Sequence, residues 1–399
     1  MKEDQNEPTL IQLYSIFFYL GTISFGGPIV HIEFFRKYFI YKKNWLSEDL
    51  FNFYLNLSQS LPGPTSSQLC MCIGHKFKQK KGSFVALLGF MTPSFIVMSL
   101  LALRVNYLSH TIQKYHSAIL AMASLFILDS SISFFKIDQH PRKWGALLGS
   151  LFITSLISLL SNENISTYVT HTLYFIPLII FFYTLNQGGR NQSINVSRTY
   201  LIIYFILIIL SFIPFVKNES YMYFNLIIFK ICSTVFGGGI NSLNLAYQFI
   251  EENKLILKDQ LNFGLSIAQF LPGPLYSFFS FAGTLVKSQN QVDLVNILKG
   301  FFTQMISYLP SFLLIFSLSH QLNNQTIQKH FNKYQQIIQI IIGVFVLQFL
   351  QFYFFKTTSL SLLTLIFAII AITINRLYQF SMLYFAIGIF LFYAYPFNA

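Results

Sequence analysis

Long apolar runs alternate with short polar segments along the whole chain. Several runs approach twenty residues, among them 84–105, 118–135 and 337–355. A bilayer core of ~30 Å needs about twenty residues of helix, so runs of this length are typical of transmembrane helices. The pattern predicts an all-α, polytopic membrane protein with about 12 or 13 membrane elements.

Glycine and proline interrupt four of these runs, and the interruptions form two matched pairs. They fall at Gly26, Gly27 and Pro28; at Pro62, Gly63 and Pro64; at Gly237, Gly238 and Gly239; and at Pro272, Gly273 and Pro274. The Phe-Gly-Gly motif recurs at an offset of 211 (236 − 25), and the Leu-Pro-Gly-Pro motif at an offset of 210 (272 − 62). A Pro-Ser-Phe motif follows in both copies, at 93–95 and 310–312. Three motifs in the same order predict two homologous repeats.

The repeats divide the chain into three parts. The first repeat is expected at 1–190 and the second at 221–399. Between them, 191–220 is expected to be a linker with one extra transmembrane span, because a polar, glycine-containing stretch precedes an apolar run there.

A helix that breaks inside a membrane leaves backbone N–H and C=O groups without partners. Such groups are costly in hydrocarbon, so breaks are tolerated where they are buried in protein or line a water-filled cavity. The helix that restarts after a break points its N-terminal amides and positive dipole end at that cavity, which favours an anion. Paired breaks in matching positions indicate the binding site of a secondary transporter. The alternative interpretation is that glycine and proline serve close packing or kinks.

The two arms around the first Pro-Gly-Pro motif, 50–60 and 65–77, are each too short to cross a bilayer. The pair is therefore one broken span or a re-entrant hairpin. If it returns, six crossings separate the two copies, which are then parallel, and the basic loops of the first half lie on one side. If it crosses, seven crossings separate the copies, which are then inverted. The sequence leaves this choice open.

Composition supports a membrane protein and disfavours several functions. Hydrophobic residues make up 54% of the chain and charged residues 10%, well below the ~25% charge of a soluble domain. The excess of 26 Lys and Arg over 14 Asp and Glu is assigned to cytoplasmic loops, so we expect no nucleic-acid partner. The three cysteines lack metal or disulfide spacing, and catalytic signatures are absent. We therefore expect no cofactor, no metal and no enzyme activity.

Polar side chains beside the breaks are candidate substrate-binding residues. Gln59 and Gln269 lie three residues before the first proline of each Pro-Gly-Pro motif. A buried side-chain carboxamide at this position either donates a hydrogen bond to an oxyanion or pairs with backbone groups that the helix break leaves unbonded. Thr65 opens a polar helix turn, whereas the second repeat has Leu275 and Tyr276 at the matching place. An anion site is therefore expected to be asymmetric and better developed in the first half.

Three ionisable residues are further candidates. His31 lies close to the first break, either as part of a proton relay or as a satisfied polar residue. Lys230 lies six residues before the second glycine motif. Three roles are open for it: its amine binds an anion, carries a proton, or extends to the membrane–water interface. Asp129 lies deep in the run 118–135 and is a similar candidate.

In these motifs the chain resembles the chromate ion transporter family, in its long, two-domain form. The first half carries Phe-Gly-Gly-Pro with the nearby His31, Gln-x-x-Pro-Gly-Pro and Pro-Ser-Phe, and the second carries Phe-Gly-Gly-Gly, the same two later motifs and Lys230. The resemblance implies a secondary active transporter of the cell membrane that exports chromate or a related oxyanion such as sulfate. It also implies a proton gradient or the membrane potential as driving force, and two halves of opposite orientation.

Other functions stay open at this point. A passive anion channel or a carrier for another small solute is the main alternative, and a membrane enzyme or scaffold is a third class. The expected partners are a small oxyanion, the lipid bilayer and protons, and a homodimer is also compatible with the sequence.

Overall fold

The computed structural model describes residues 7–25, 27–107, 197–212, 220–235, 239–286 and 292–319, together with 322 and 388. All regular secondary structure in these residues is helical, which agrees with the predicted helical membrane protein. Several predictions lie outside the described residues, namely the spans at 118–135, 144–160, 173–185, 337–355, 360–374 and 380–395, and Asp129.

The described helices follow the predicted order of the two halves. Those of the first half are α1 (Leu10–Ile23), α2 (Pro28–Arg36), α3 (Glu48–Ser60) and α4 (Thr65–Arg104), with α2 continuing into a π-helical turn (Lys37–Lys42). Those that follow are α5 (Arg198–Phe212), α6 (Tyr221–Thr234), α7 (Gly239–Glu252), α8 (Lys258–Phe270), α9 (Ser277–Leu285) and α10 (Asp293–Ser317).

Local sequence sets several helix ends. The side chain of Thr9 accepts a hydrogen bond from the amide of Gln12, whose own side chain accepts one from the Thr9 amide, and this capping box begins α1. The Ser47 hydroxyl accepts from the amide of Leu50 and caps α3, in keeping with the preference of serine for the N-cap position. α3 ends at Ser60, directly before the first Pro-Gly-Pro motif, which is as predicted.

Helix α4 consists of two arms that fold against each other. Lys78 and Gln79 leave helical geometry, with Gln79 at a φ of 48°, and separate an N-terminal arm, 65–77, from a C-terminal arm, 80–104. The Ser83 hydroxyl donates to the carbonyl oxygen of Met71 at 2.9 Å, across the turn. The arms approach closely because Gly74 and Gly82 face each other, each without a side chain.

Both short helix pairs of the first half return to one end of the molecule. The ring of Phe77, at the end of the α4 N-terminal arm, lies 6.3 Å from the ring of Phe39 and 5.3 Å from that of Trp45. Lys78 forms an ion pair with Glu7, just before α1, at 3.2 Å. The chain before α1, between α2 and α3, and after the α4 N-terminal arm therefore meets at one place, which we call the Trp45 end.

The second half shows the same pairing at the other end of α4. Tyr223 at the start of α6 contacts Phe249 near the end of α7, with ring centroids 6.0 Å apart. Gln260, at the start of α8, donates through Nε2 to Oδ1 of Asn106 at 2.7 Å. Asn106 directly follows α4, so this meeting place, which we call the Gln260 end, lies opposite the Trp45 end.

The C-terminal arm of α4 and α10 run antiparallel along each other. Phe84 pairs with Phe312, and Phe95 pairs with Phe301, with ring centroids 5.9 and 5.6 Å apart. Both α4 and α10 are long and apolar enough to cross a membrane. The 25 residues of α10 span about 37 Å at 1.5 Å per residue, whereas the 14 residues of α1 span only about 21 Å.

Candidate functional site

The helix breaks predicted at the first-half motifs and at the second Pro-Gly-Pro motif occur where the sequence places them. α1 ends at Ile23 and α2 begins at Pro28, with Gly27 between them at a φ of 81°. Gly63 and Gly273 have φ values of 118° and 104°, a region that side chains of L-residues rarely allow. Glycine is therefore required at the centre of each Pro-Gly-Pro loop. Gly26, Gly237 and Gly238 lie outside the described residues.

Each Pro-Gly-Pro loop bonds to the glycine break of the other half. The Gly63 amide donates to the carbonyl oxygen of Val235, just before the second glycine motif, at 3.2 Å. The Gly273 amide donates to the carbonyl oxygen of Ser24, just before the first glycine motif, at 3.4 Å. These reciprocal bonds satisfy backbone groups that the breaks would otherwise leave without partners.

The same loops lie against the Pro-Ser-Phe motif of the other half. A Cβ atom at Gly63 would stand 2.5 Å from Oγ of Ser311, and one at Gly273 would stand 2.8 Å from Oγ of Ser94. Gln68, one turn into α4, donates through Nε2 to the Pro62 carbonyl oxygen at 2.6 Å and to Oγ of Ser311 at 2.9 Å. The described residues of the three repeated motifs therefore meet at one place, which we call the centre.

His31 is fully buried and joins the first break to α4. Its Nε2 lies 3.1 Å from the Ser24 carbonyl oxygen, and its Nδ1 lies 3.2 Å from Oγ of Ser66. Because a carbonyl oxygen only accepts, Nε2 carries a proton in this arrangement. The imidazole ring also packs against the ring of Phe90 in a T-shaped arrangement, with ring centroids 5.2 Å apart. The sequence allows two interpretations of His31, as part of a proton relay or as a polar residue whose hydrogen bonds are satisfied within the protein. These contacts match the second.

The other predicted binding residues differ in burial. Gln269 and Thr65 are buried, at 3% and 4% exposure, and Nε2 of Gln269 has no hydrogen-bond partner among the described residues. Gln59 is half-buried. Lys230 is also half-buried, about one turn before the end of α6, and its carbonyl oxygen accepts from the Thr234 hydroxyl.

Several buried polar groups at the centre are absent from the sequence prediction. Tyr308, Gln304 and Ser67 are each fully buried, and the Tyr308 hydroxyl faces the other two side chains. Within the described part of the chain, none of the Tyr308 hydroxyl, the Ser67 hydroxyl and the Gln304 carboxamide has a hydrogen-bond partner of ordinary geometry. The sequence offers one indication of these residues, because Tyr308 and Ser311 flank the repeated proline of the second Pro-Ser-Phe motif.

The described residues contain no cluster of three or more His, Cys, Asp or Glu side chains that could hold a metal ion. Cys70, Cys72 and Cys232 are buried free thiols. The chemistry available at the centre is therefore hydrogen bonding by hydroxyls, carboxamides and backbone amides.

Two helices that are long and apolar enough to span a membrane, in an all-helical set of described residues, are consistent with a helical membrane protein. A family model described as chromate transporter matches residues 11–214 and 223–394. The chain belongs to the chromate transporter family, and the two matched segments confirm the long, two-domain form. Family membership indicates transport as its class of activity.

Relatives from archaea and bacteria agree with this assignment. The chain is 23% identical over 361 residues to an uncharacterised transporter of Methanocaldococcus jannaschii, which covers 86% of this chain and 83% of that one. It is 22% identical over 283 residues to a probable chromate transport protein of Synechococcus elongatus, covering 70% of each chain. It is 36% identical to a chromate transport protein of Pseudomonas aeruginosa over 87 residues, which are 22% of this chain and 21% of that one. No solved structure matches the chain.

Proposed function

We propose that this protein is a secondary active transporter that exports chromate or a related oxyanion such as sulfate, driven by the proton gradient or the membrane potential. The relatives named as chromate transport proteins support the choice of substrate. The predicted binding residues beside the breaks, including Gln59, Gln269 and Lys230, are proposed to line the path of the anion.

One observation carries the proposal, namely the reciprocal contact of the two halves at their helix breaks. The Gly63 amide reaches Val235 and the Gly273 amide reaches Ser24, so each Pro-Gly-Pro loop lies against the residue that directly precedes the glycine motif of the other half. Breaks that are buried together in this way supply helix N-termini to a site at mid-membrane, as in transporters built from repeats. A substrate between the halves is released when their relative position changes.

We further propose that the two repeats are inverted and that both short helix pairs of each repeat are re-entrant. The meeting of Phe77 with Trp45 supports a return of the first Pro-Gly-Pro pair to its starting side. The ion pair of Glu7 with Lys78 supports the same return for α1 and α2. With both pairs returning, five predicted spans separate the copies. Five is an odd number and gives opposite orientations, in agreement with the antiparallel course of α4 and α10.

The proposed organisation keeps the sequence-based boundaries. The first repeat occupies 1–190, a linker with one span occupies 191–220, and the second repeat occupies 221–399. The family match is interrupted between 214 and 223, close to the proposed start of the second repeat. The proposed location is the cell membrane, as a multi-pass protein that assembles as a monomer or homodimer.

Vesicles that contain the purified protein test the proposal. We expect flux of chromate or sulfate that responds to a pH gradient or to an imposed potential. Gly63→Leu is expected to abolish this flux, because a side chain at Gly63 meets Ser311 and requires an unfavourable φ. Gly388→Leu is the matched control, since nothing lies within 4 Å of a Cβ atom at that position, and its flux should remain at the wild-type level.

Three results would contradict the proposal. Unaltered flux in Gly63→Leu would remove the breaks from the mechanism. Steady single-channel currents would favour a passive anion channel. An absence of chromate and sulfate flux in the wild-type protein, with flux of another solute, would identify a carrier with a different substrate.

A further inference from the structure

Within the described part of the chain, the first turn of the α4 N-terminal arm presents backbone amides without partners. The arm begins after Pro64, and no side chain among the described residues caps it. The amides of residues 65–67 come too early in the helix to bond within it. The matching helix α9 differs, because the Ser277 amide donates to the Pro274 carbonyl oxygen at 3.0 Å and the Phe278 amide donates to that of Leu275 at 3.1 Å. Of the two matched helix starts, the first therefore leaves more of its first-turn amides available to a ligand among the described residues.

Two side chains of the second half that lack well-formed hydrogen bonds within the described residues lie near this helix start. The Tyr308 hydroxyl lies close enough for weak hydrogen bonding to the side chains of Ser67, which lies in the first turn of α4, and of Gln304. All three residues are 0% exposed, and their hydroxyl and carboxamide groups lack ordinary hydrogen bonds within the described residues. Folded proteins rarely leave buried polar groups unpaired. A group of them directed at one place therefore indicates that a polar ligand binds there.

The position of these groups is fixed by the packing around them. Gln68 bonds to Ser311 on α10 and to the Pro62 carbonyl oxygen, which holds α10 against the start of α4. The ring of Tyr276 lies 5.4 Å from the ring of Tyr308 and supports it from the side of α9. The donors are thus placed before a ligand arrives, which lowers the cost of binding.

The charge of the surroundings narrows the class of ligand. Among the described residues, no Lys, Arg, Asp or Glu side chain is fully buried. A cation would find no carboxylate here, and it would be repelled by the positive end of the α4 dipole. An oxyanion instead accepts hydrogen bonds from hydroxyls, a carboxamide and free helix amides, and several such bonds together bind a buried anion without a cationic partner.

We propose that one tetrahedral oxyanion binds at the start of the α4 N-terminal arm, between the amides of residues 65–67 and the side chains of Gln304 and Tyr308. The Ser67 hydroxyl completes the site. Recognition is by neutral donors from both halves, with the helix amides from the first half and the side chains from the second. This site deepens the proposed transport function and rests on it. It assigns no contact with the oxyanion to Lys230.

Equilibrium binding of chromate and of sulfate to the purified full-length protein tests this site. Tyr308→Phe removes the hydroxyl while keeping the ring, and it should raise Kd for both anions by about tenfold or more, the loss of one hydrogen bond to a charged group. The thermal midpoint without anion should stay unchanged, because this hydroxyl makes no ordinary hydrogen bond in the protein. Gln304→Leu is expected to raise Kd in the same way.

Tyr204→Phe is the matched control. Tyr204 is also fully buried, but its hydroxyl donates to the Ser233 carbonyl oxygen at 2.6 Å. This variant should lower the thermal midpoint and leave Kd unchanged, which is the opposite signature to that of Tyr308→Phe.

Two outcomes would overturn the site while leaving transport intact. One is a wild-type Kd and wild-type flux in both Tyr308→Phe and Gln304→Leu. The other is a fall in thermal midpoint for Tyr308→Phe as large as that for Tyr204→Phe, since Tyr308 would then act as a structural residue. If the wild-type protein neither binds nor transports either oxyanion, the transport proposal fails and the site fails with it.

Discussion

The alanine variant of Gly63 separates two physical demands on the first Pro-Gly-Pro loop. Gly63 has a φ of 118°, and a Cβ atom there would stand 2.5 Å from Oγ of Ser311 and 2.8 Å from Nε2 of Gln68. Gly63→Ala therefore imposes backbone strain and also pushes against the hydrogen bond between Gln68 and Ser311. The backbone strain depends only on Gly63, whereas the crowding depends on Ser311 as well.

The expected size of each effect follows from these distances. Holding a residue with a side chain at such a φ costs about 1–3 kcal/mol. Separating Gln68 from Ser311 costs about 0.5–1.5 kcal/mol for the lost hydrogen bond. We expect Gly63→Ala to destabilise the protein by about 2–4 kcal/mol from the two together.

A double-mutant cycle with Ser311→Ala measures the second effect. Removing Oγ of Ser311 takes away the closest contact of the new methyl group and frees the flexible Gln68 side chain, whose Nε2 at 2.8 Å must still move aside. The double variant should therefore recover about 1 kcal/mol relative to the sum of the single variants. Thermal unfolding in detergent, read by size-exclusion chromatography, gives the stability order, and anion flux in vesicles gives the functional order.

Strictly additive losses would refute the contact between Gly63 and Ser311. Full recovery to wild-type stability would instead refute the role of the positive φ. Gly273→Ala with Ser94→Ala is the matched cycle in the second half, where less recovery is expected. There the Cβ atom of Ser94, at 3.1 Å, crowds the new methyl group even after Oγ is removed.

The remaining predictions concern helix packing and topology. Gly82→Ala should lower stability by about 1–3 kcal/mol, measured by thermal unfolding, because a methyl group there meets the carbonyl oxygen of Gly74. Gly388→Ala should be neutral or slightly stabilising, and equal losses in the two variants would argue against the close hairpin. For topology, single cysteines replacing Lys43 and Gln260 in a cysteine-free background should react with an impermeant thiol reagent from opposite faces of the membrane. Labelling from the same face would rule out inverted repeats.

Features that depend on neighbouring residues could be predicted from the sequence. The capping of α3 by Ser47 and the break around Gly63 follow from residue types whose preferences are local. The sequence locates the candidate site only approximately, because local residue preferences give the position of the helix breaks and nothing about contacts between distant residues. Its motifs are visible as a repeat, which indicates where the helices break but not which side chains meet there.

Features that depend on distant residues could not be predicted. Gln68 and Ser311 are separated by 243 positions, and no local pattern pairs them. The return of the first Pro-Gly-Pro helix pair is shown by the contact of Phe77 with Trp45. This contact distinguishes a hairpin from a broken span, and it exists only in the folded protein. The difference between the two matched helix starts is a third case, because the tight turn before α9 forms among apolar residues that carry no distinctive motif.

The reciprocal bonds between the halves impose an order on biosynthesis. The amide of Gly63 bonds to Val235, which the ribosome adds 172 residues later (235 − 63). Until then the first loop is in the membrane without its backbone partner, and an unpaired amide in hydrocarbon is unfavourable. A nascent chain stopped before Val235 should therefore stay in a water-accessible or chaperoned state. Folding of the first half would then be completed only when the second half arrives.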